Sequence, residues 1–132
     1  AVRMEAQFES AMQIANWLDL NPMVEKVLFP PLPNSEHYEN WKKYFTGGGS
    51  LMSVILDKKY EDEDLEKYFD GMEIFSMGYS WGGFESLATP VRIQKERKSS
   101  LDQLKNTIFR IHVGLEDPED LISDLDSAFK RL

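Results

Sequence analysis

Ile108-Phe109-Arg110-Ile111-His112-Val113-Gly114-Leu115-Glu116-Asp117-Pro118-Glu119-Asp120-Leu121-Ile122 is the stretch that decides the fold. Its first six residues alternate. Phe109, Ile111 and Val113 fall on one side of a strand and Arg110 and His112 on the other, because successive strand side chains point to opposite faces. A helix entry follows, with Asp117 as N-cap, Pro118 at the first position where a missing N–H is harmless, and Glu119 and Asp120 at the positive end of the helix dipole. Leu121, Ile122, Leu125, Phe129 and Leu132 then share one helix face. A strand with one apolar side leading into an amphipathic helix describes a sheet whose apolar face is covered by helices.

Working back toward the start, Met4, Phe8, Ala11, Met12, Ala15 and Leu18 recur at helical spacing, which predicts a helix over residues 3–20 ending at Asn21-Pro22, with its Met and aromatic side chains in the core. Ala1-Val2-Arg3-Met4 enters that periodicity without a capping residue, so the chain is expected to be a piece of a longer one that begins inside a helix. Glu25 to Phe29 reads as a short strand stopped by Pro30, Pro31 and Pro33. His37 to Phe45 reads as a short helix carrying Trp41, and Thr46-Gly47-Gly48-Gly49-Ser50 as a flexible turn into a strand over Leu51 to Leu56. A helix from about Asp62 to Asp70 closes near Gly71, and Ile74 to Met77 is a third strand before the fourth, Ile108 to Val113. The segment 92–106, with Arg92, Lys95, Arg97, Lys98 and Lys105 and little apolar periodicity, reads as a mobile surface connection. No regular βαβ spacing appears, so the expected architecture is α+β, a mostly antiparallel small sheet covered by helices on one side, in a single domain over residues 1–132.

Composition narrows the function classes. A hydrophobic content of 42% with 29% charged residues excludes wholesale disorder, and no apolar run approaches the roughly 18 to 20 residues of a membrane span. Fifteen Lys and Arg against 23 Asp and Glu give a net charge of -8, which repels nucleic-acid phosphates and anionic lipid, so neither nucleic acid nor membrane is an expected partner. The absence of cysteine rules out disulfides and thiol chemistry and, with no signal-peptide pattern, suits a cytoplasmic location. His37 and His112 stand far apart, and no ligand set for a transition metal is visible, so no metal site is expected.

Three local patterns invite chemistry. Gly78-Tyr79-Ser80-Trp81-Gly82 matches the G-x-S-x-G elbow of serine hydrolases, with Asp102 and His112 following in the order a triad needs. That fold requires a long parallel sheet before the elbow, and here only two strands precede the one that leads into it. Gly47-Gly48-Gly49-Ser50 lacks the Lys-Ser or Lys-Thr and the following helix of a phosphate cradle, and Glu61-Asp62-Glu63-Asp64 lacks the spacing of a calcium loop and reads as a solvated helix start. Arg110 is the stronger candidate. Inside a strand its guanidinium is costly to desolvate without an anion, and its planar fork matches a carboxylate, either an internal Asp or Glu or the carboxylate of a ligand.

Phe75-Ser76-Met77-Gly78-Tyr79-Ser80-Trp81-Gly82-Gly83-Phe84-Glu85-Ser86-Leu87, together with Arg110-Ile111-His112-Val113-Gly114-Leu115-Glu116-Asp117, resembles the C-terminal signature of the Cys/Met-metabolism enzymes dependent on pyridoxal 5'-phosphate (PLP), a family of fold type I. Pro22 to Pro30 and Trp41 to Phe45 are similar as well, so the likeness covers the whole chain. It implies that Arg110 binds the α-carboxylate of an amino-acid substrate. Ser80 then contributes to the same pocket mainly through its backbone, Trp81 offers its indole N–H, and Tyr79 lines the distal end of the substrate. Tyr79-Ser80-Trp81-Gly82-Gly83 is similar to the bacterial β-lyases acting on cystathionine, where γ-lyases and γ-synthases read Glu-Ser-Leu-Gly-Gly. The implied reaction is α,β-elimination of L-cystathionine to homocysteine, pyruvate and ammonia, a transsulfuration step of methionine biosynthesis, by an enzyme that in this family is a homotetramer. The neighbouring activities of cystathionine γ-synthase, cystathionine γ-lyase and methionine γ-lyase, and a non-catalytic binding or assembly module, are the alternatives. The resemblance also implies that the Schiff-base lysine and the PLP-binding groups belong to a large domain absent from this sequence. No catalytic or cofactor-binding residue is then expected in this chain, Lys58, Lys59, Lys95 and Lys98 all standing in polar surroundings without the lysine motif, and the chain alone should be inactive.

Overall fold

The computed structural model describes residues 2–92 and 105–132, so Lys95, Lys98, Asp102 and most of the segment expected to be a mobile connection lie outside the described residues. The elements in chain order are α1 (Val2–Asp19), β1 (Val24–Leu28), α2 (Tyr38–Tyr44), β2 (Leu51–Leu56), α3 (Asp62–Asp70), β3 (Ser76–Met77), β4 (Leu87–Pro90), β5 (Ile108–His112) and α4 (Pro118–Phe129). The strands form one sheet in the order β1-β2-β5-β4-β3. Three of its pairings are antiparallel and β3–β4 is parallel, so the sheet is mostly antiparallel, as expected from the sequence.

The alternation in β5 sets the two faces. Phe109 and Ile111 stand opposite Val54 and Met52 of β2, and all four are buried on the side where Ala11, Ile14, Ala15 and Leu18 of α1 and Leu121, Leu125 and Ala128 of α4 complete the core. Tyr68 of α3 packs against Phe109 and Phe129 with ring centroids 4.6 and 5.3 Å apart. Burying a side chain of this size contributes about 1.5 to 3 kcal/mol. α4 begins as its sequence specifies, with the Asp117 carboxylate accepting from the Glu119 N–H at 2.8 Å and Pro118 in the first turn.

The Tyr68 hydroxyl is buried and has no hydrogen-bond partner among the described residues. Burial first, and the nearby Asp124 second, push its ionisation well above the usual phenol range. Such a group costs about 1 to 3 kcal/mol of desolvation. Tyr68→Phe is therefore expected to leave stability unchanged or raise it by about 1 kcal/mol in urea denaturation; a loss of that size would show that the hydroxyl has a partner.

Three expectations need correction. Met4, assigned to the core, is 61% exposed, whereas Gln7 is buried one turn further along α1. The third strand is shorter than Ile74–Met77, because the N–H groups of Ile74 and Phe75 donate to the Asp124 carboxylate instead of to a neighbouring strand. β4 was not expected at all. It is four residues long and ends in Pro90, which cannot donate to a ladder; β3 pairs only with Leu87 and Ala88, so Pro90 stands where β4 has a partner on one side alone.

Candidate functional site: the loop facing Arg110

Arg110 sits at the centre of β5 between Ser53 of β2 and Thr89 of β4, on the sheet face opposite the one that packs against α1 and α4. The loop 78–86 leaves β3 and returns to start β4. Because β3 is only two residues long, the return spans only about 7 Å, which nine residues cover without a crossover helix. Arg110 is half-buried and reaches this loop, its Nη2 donating to the Tyr79 carbonyl and its guanidinium lying 5.8 Å from the centroid of the Tyr79 ring. Among the described residues no Asp or Glu forms an ion pair with it. The internal-carboxylate reading of Arg110 is thus not met among those residues, and a cationic fork stands beside a loop whose Tyr79, Ser80 and Trp81 are exposed. The structure brings all four expected site residues into one region.

The loop is anchored through its main chain. Gln7 Nε2 donates to the Gly83 carbonyl at 2.5 Å, which explains why a polar residue of α1 is buried. The His112 ring spans Ser50 Oγ at Nδ1, 2.9 Å away, and the Gly82 N–H at Nε2, 3.2 Å away. Gly82 has φ +79°, a conformation that L side chains resist, so the turn requires glycine here. At the loop's end Glu116 accepts from the N–H and the hydroxyl of Ser86 at 2.8 and 2.7 Å, and Ser86 Oγ in turn accepts from the Gly114 N–H at 2.8 Å. A Cβ on Gly114 would stand 2.2 Å from the Phe84 carbonyl oxygen, so that position admits no side chain.

Gln7, His112, Gly114 and Glu116 were missed as supports of the site, although His112 and Glu116 lie in the very stretch that decides the fold. Only the odd placement of Gln7 on the buried side of an amphipathic helix could have signalled its partner. His112 also removes what remained of the hydrolase reading, since both ring nitrogens are engaged by Ser50 and Gly82. Burial holds its pKa below the ordinary imidazole value, with Arg110 acting the same way and the Gly83 carbonyl and Glu116 opposing.

A separate groove of about 820 Å³ opens beside α2 and is lined by Phe8, Phe29, Trp41, Tyr44 and Gly47 to Gly49. No Lys or Arg is among the described residues that line it. The Phe8 ring lies where a Cβ on Gly48 would be, at 2.4 Å, so this glycine makes room for an aromatic ring, whereas Gly47 and Gly49 face open space. Lys58 and Lys59 are exposed, Lys58 lying 4.9 Å from the centroid of the Tyr60 ring. Among the described residues, then, an arginine without an acidic partner stands beside the loop, while Lys58 and Lys59 lie at the surface away from the glycine run.

Residues 1–130 match the model of the Cys/Met metabolism PLP-dependent enzyme family. The chain belongs to that family. It is 43% identical over 134 residues to the cystathionine beta-lyase MetC of Escherichia coli (strain K12), covering 99% of this chain and 34% of that protein. It is 42% identical over 131 residues to an L-alanine/L-glutamate racemase of Wolbachia pipientis wMel, covering 98% of this chain and 32% of that one. Among solved structures, the cystathionine gamma synthase of Xanthomonas oryzae pv. oryzae, in complex with aminoacrylate and cysteine, superposes with a TM-score of 0.81 at 26% identity, over 98% of this chain and 34% of that one. The chain therefore spans about a third of the length of the relatives it matches; the family is PLP-dependent, and the superposition agrees with the α+β fold described above.

Proposed function

We propose that this chain is the substrate-carboxylate-binding domain of a PLP-dependent carbon-sulfur lyase that cleaves L-cystathionine with water to homocysteine, pyruvate and ammonia. One observation carries the reading: a guanidinium without an acidic partner among the described residues, held against the Tyr79-Ser80-Trp81-Gly82-Gly83 loop. The similarity to an Escherichia coli cystathionine beta-lyase supports the choice of substrate.

In this reading Arg110 receives the α-carboxylate through its planar fork, which fixes the amino acid by two parallel hydrogen bonds. Backbone groups around Ser80 and the Trp81 indole N–H are the remaining donors, and the Tyr79 ring walls off the distal part of the substrate. The cofactor supplies the electron sink for breaking the Cβ–S bond. It is held by the part of the enzyme outside this chain, so the chain alone turns over no substrate. The complete enzyme is a cytoplasmic homotetramer acting in methionine biosynthesis.

The similarity to an L-alanine/L-glutamate racemase favours a second reading, in which the same carboxylate pocket serves racemisation. Supplying the enzyme that carries this chain with L-cystathionine and, separately, with L-alanine decides between them. Pyruvate from cystathionine is the expected result. D-Alanine without pyruvate would establish the racemase, and 2-oxobutyrate from cystathionine would establish γ-elimination.

A further inference from the structure

We propose that His112 is a positioning residue for the carboxylate pocket, holding the Tyr79–Gly83 loop through the Gly82 N–H at Nε2 while Ser50 fixes its tautomer at Nδ1. The inference rests on the carboxylate-binding reading of Arg110 for its link to substrate, and on geometry alone for its link to the loop. His112 is 2% exposed, so its ring hydrogen bonds are made inside the protein and set by the groups around it. Two contacts at Nε2 exclude each other. The Gly82 N–H at 3.2 Å needs a lone pair on Nε2, whereas the Gly83 carbonyl at 3.4 Å needs a proton there. A neutral ring with its proton on Nδ1 donates to Ser50 Oγ and accepts from Gly82, which is the arrangement with the shorter contact.

Protonation of Nε2 removes the acceptor of the Gly82 N–H and turns the ring toward Gly83, whose carbonyl already accepts from Gln7. The two states of one ring thus select between adjacent peptide groups of the loop that carries Ser80 and Trp81. Charged groups that act on the ring are Arg110 of β5, which opposes protonation, and Glu116 of the following turn, which favours it. The flanking strands present Leu51 of β2 and Leu87 of β4 at its register position, and neither titrates. Lowered basicity keeps the ring neutral at pH 7 and agrees with the shorter contact.

The sign of the pH effect follows. The pKa of His112 is lower in the folded chain than in the unfolded one, so the stability contributed by the neutral ring is complete above about pH 6.5, the unfolded value. It is lost as pH falls from there through the folded value.

Two measurements test the proposal. In ¹⁵N-labelled chain, the Gly82 amide resonance should titrate with the same midpoint as the His112 ring, below about pH 6.5, and lose that inflection in His112→Gln. A Gly82 amide that stays flat while the ring titrates overturns the proposal. In the enzyme that carries this chain, His112→Leu should raise KM for the amino-acid substrate about tenfold with kcat little changed, the loss expected for one buried hydrogen bond. His112→Gln, whose side-chain oxygen can take the Gly82 N–H, should restore KM to near the wild-type value. Equal KM values for the two variants, or no change in either, overturn the link to substrate. If Arg110→Ala leaves KM unchanged, the carboxylate reading fails while the Gly82 titration still decides the loop contact, so the two failures are told apart.

Discussion

Arg110→Ala, made in the enzyme that carries this chain, should raise KM for the amino-acid substrate by roughly 30- to 1,000-fold, corresponding to about 2 to 4 kcal/mol for a desolvated charge-assisted pair. The effect should fall on KM more than on kcat, because the α-carboxylate is held in the ground state and the transition state alike. The size follows from the setting: the guanidinium is half-buried at a strand centre, and its contacts among the described residues are the Tyr79 carbonyl and ring, neither of which neutralises it. Arg110→Lys should recover part of the loss, since a point charge remains while the fork that grips both oxygens is gone. Steady-state kinetics with L-cystathionine checks both variants, and an unchanged KM in the alanine variant would make the arginine structural.

Asp124→Ala should destabilise the fold by about 3 kcal/mol or more, read as a lowered midpoint in urea denaturation with an unchanged slope. The Asp124 carboxylate is 6% exposed and accepts the backbone N–H groups of Glu73, Ile74 and Phe75 at 2.9, 2.8 and 3.0 Å. Removing it strands three donors at once, each at about 1 to 3 kcal/mol when buried, partly recovered where water enters. Asp126→Ala on the same helix is the control. Its partner is Lys130 in an exposed i,i+4 pair, so its loss should stay within about 0.5 kcal/mol. Equal effects from the two substitutions would remove Asp124 from its role as the cap of the segment before β3.

How legible the sequence was depended on the range of the interaction. The start of α4 was readable because Asp117, Pro118 and Glu119 settle it among themselves. The faces of β5 were readable because alternation is a local rule. β3 was overextended because the competitor for its N–H groups, Asp124, lies about fifty positions away in sequence. β4 was missed because Leu87-Ala88-Thr89-Pro90 has no period of its own and is a strand only through β5 and β3 beside it. At the site, Arg110 stood out from the residues alone as a strand arginine in need of an anion, its substrate role and those of Ser80, Trp81 and Tyr79 came from a resemblance, and the structure then brought the four together. The anchors Gln7, His112 and Glu116 needed the fold, since each holds the loop through a residue 30 or more positions distant.

Among the described residues, every long-range hydrogen bond that holds the loop 78–86 ends on its main chain or on Ser86, and none ends on the side chains of Tyr79 or Trp81. Exchanging those two side chains removes none of these hydrogen bonds, so their replacement should be nearly neutral for folding while, in the proposed function, it remodels the wall of the carboxylate pocket. A lineage can therefore sample new side chains at both positions without first acquiring stabilising substitutions elsewhere. Relatives this similar in sequence carry names as different as lyase and racemase. The framework that keeps the loop in place is also what leaves its chemistry free to drift.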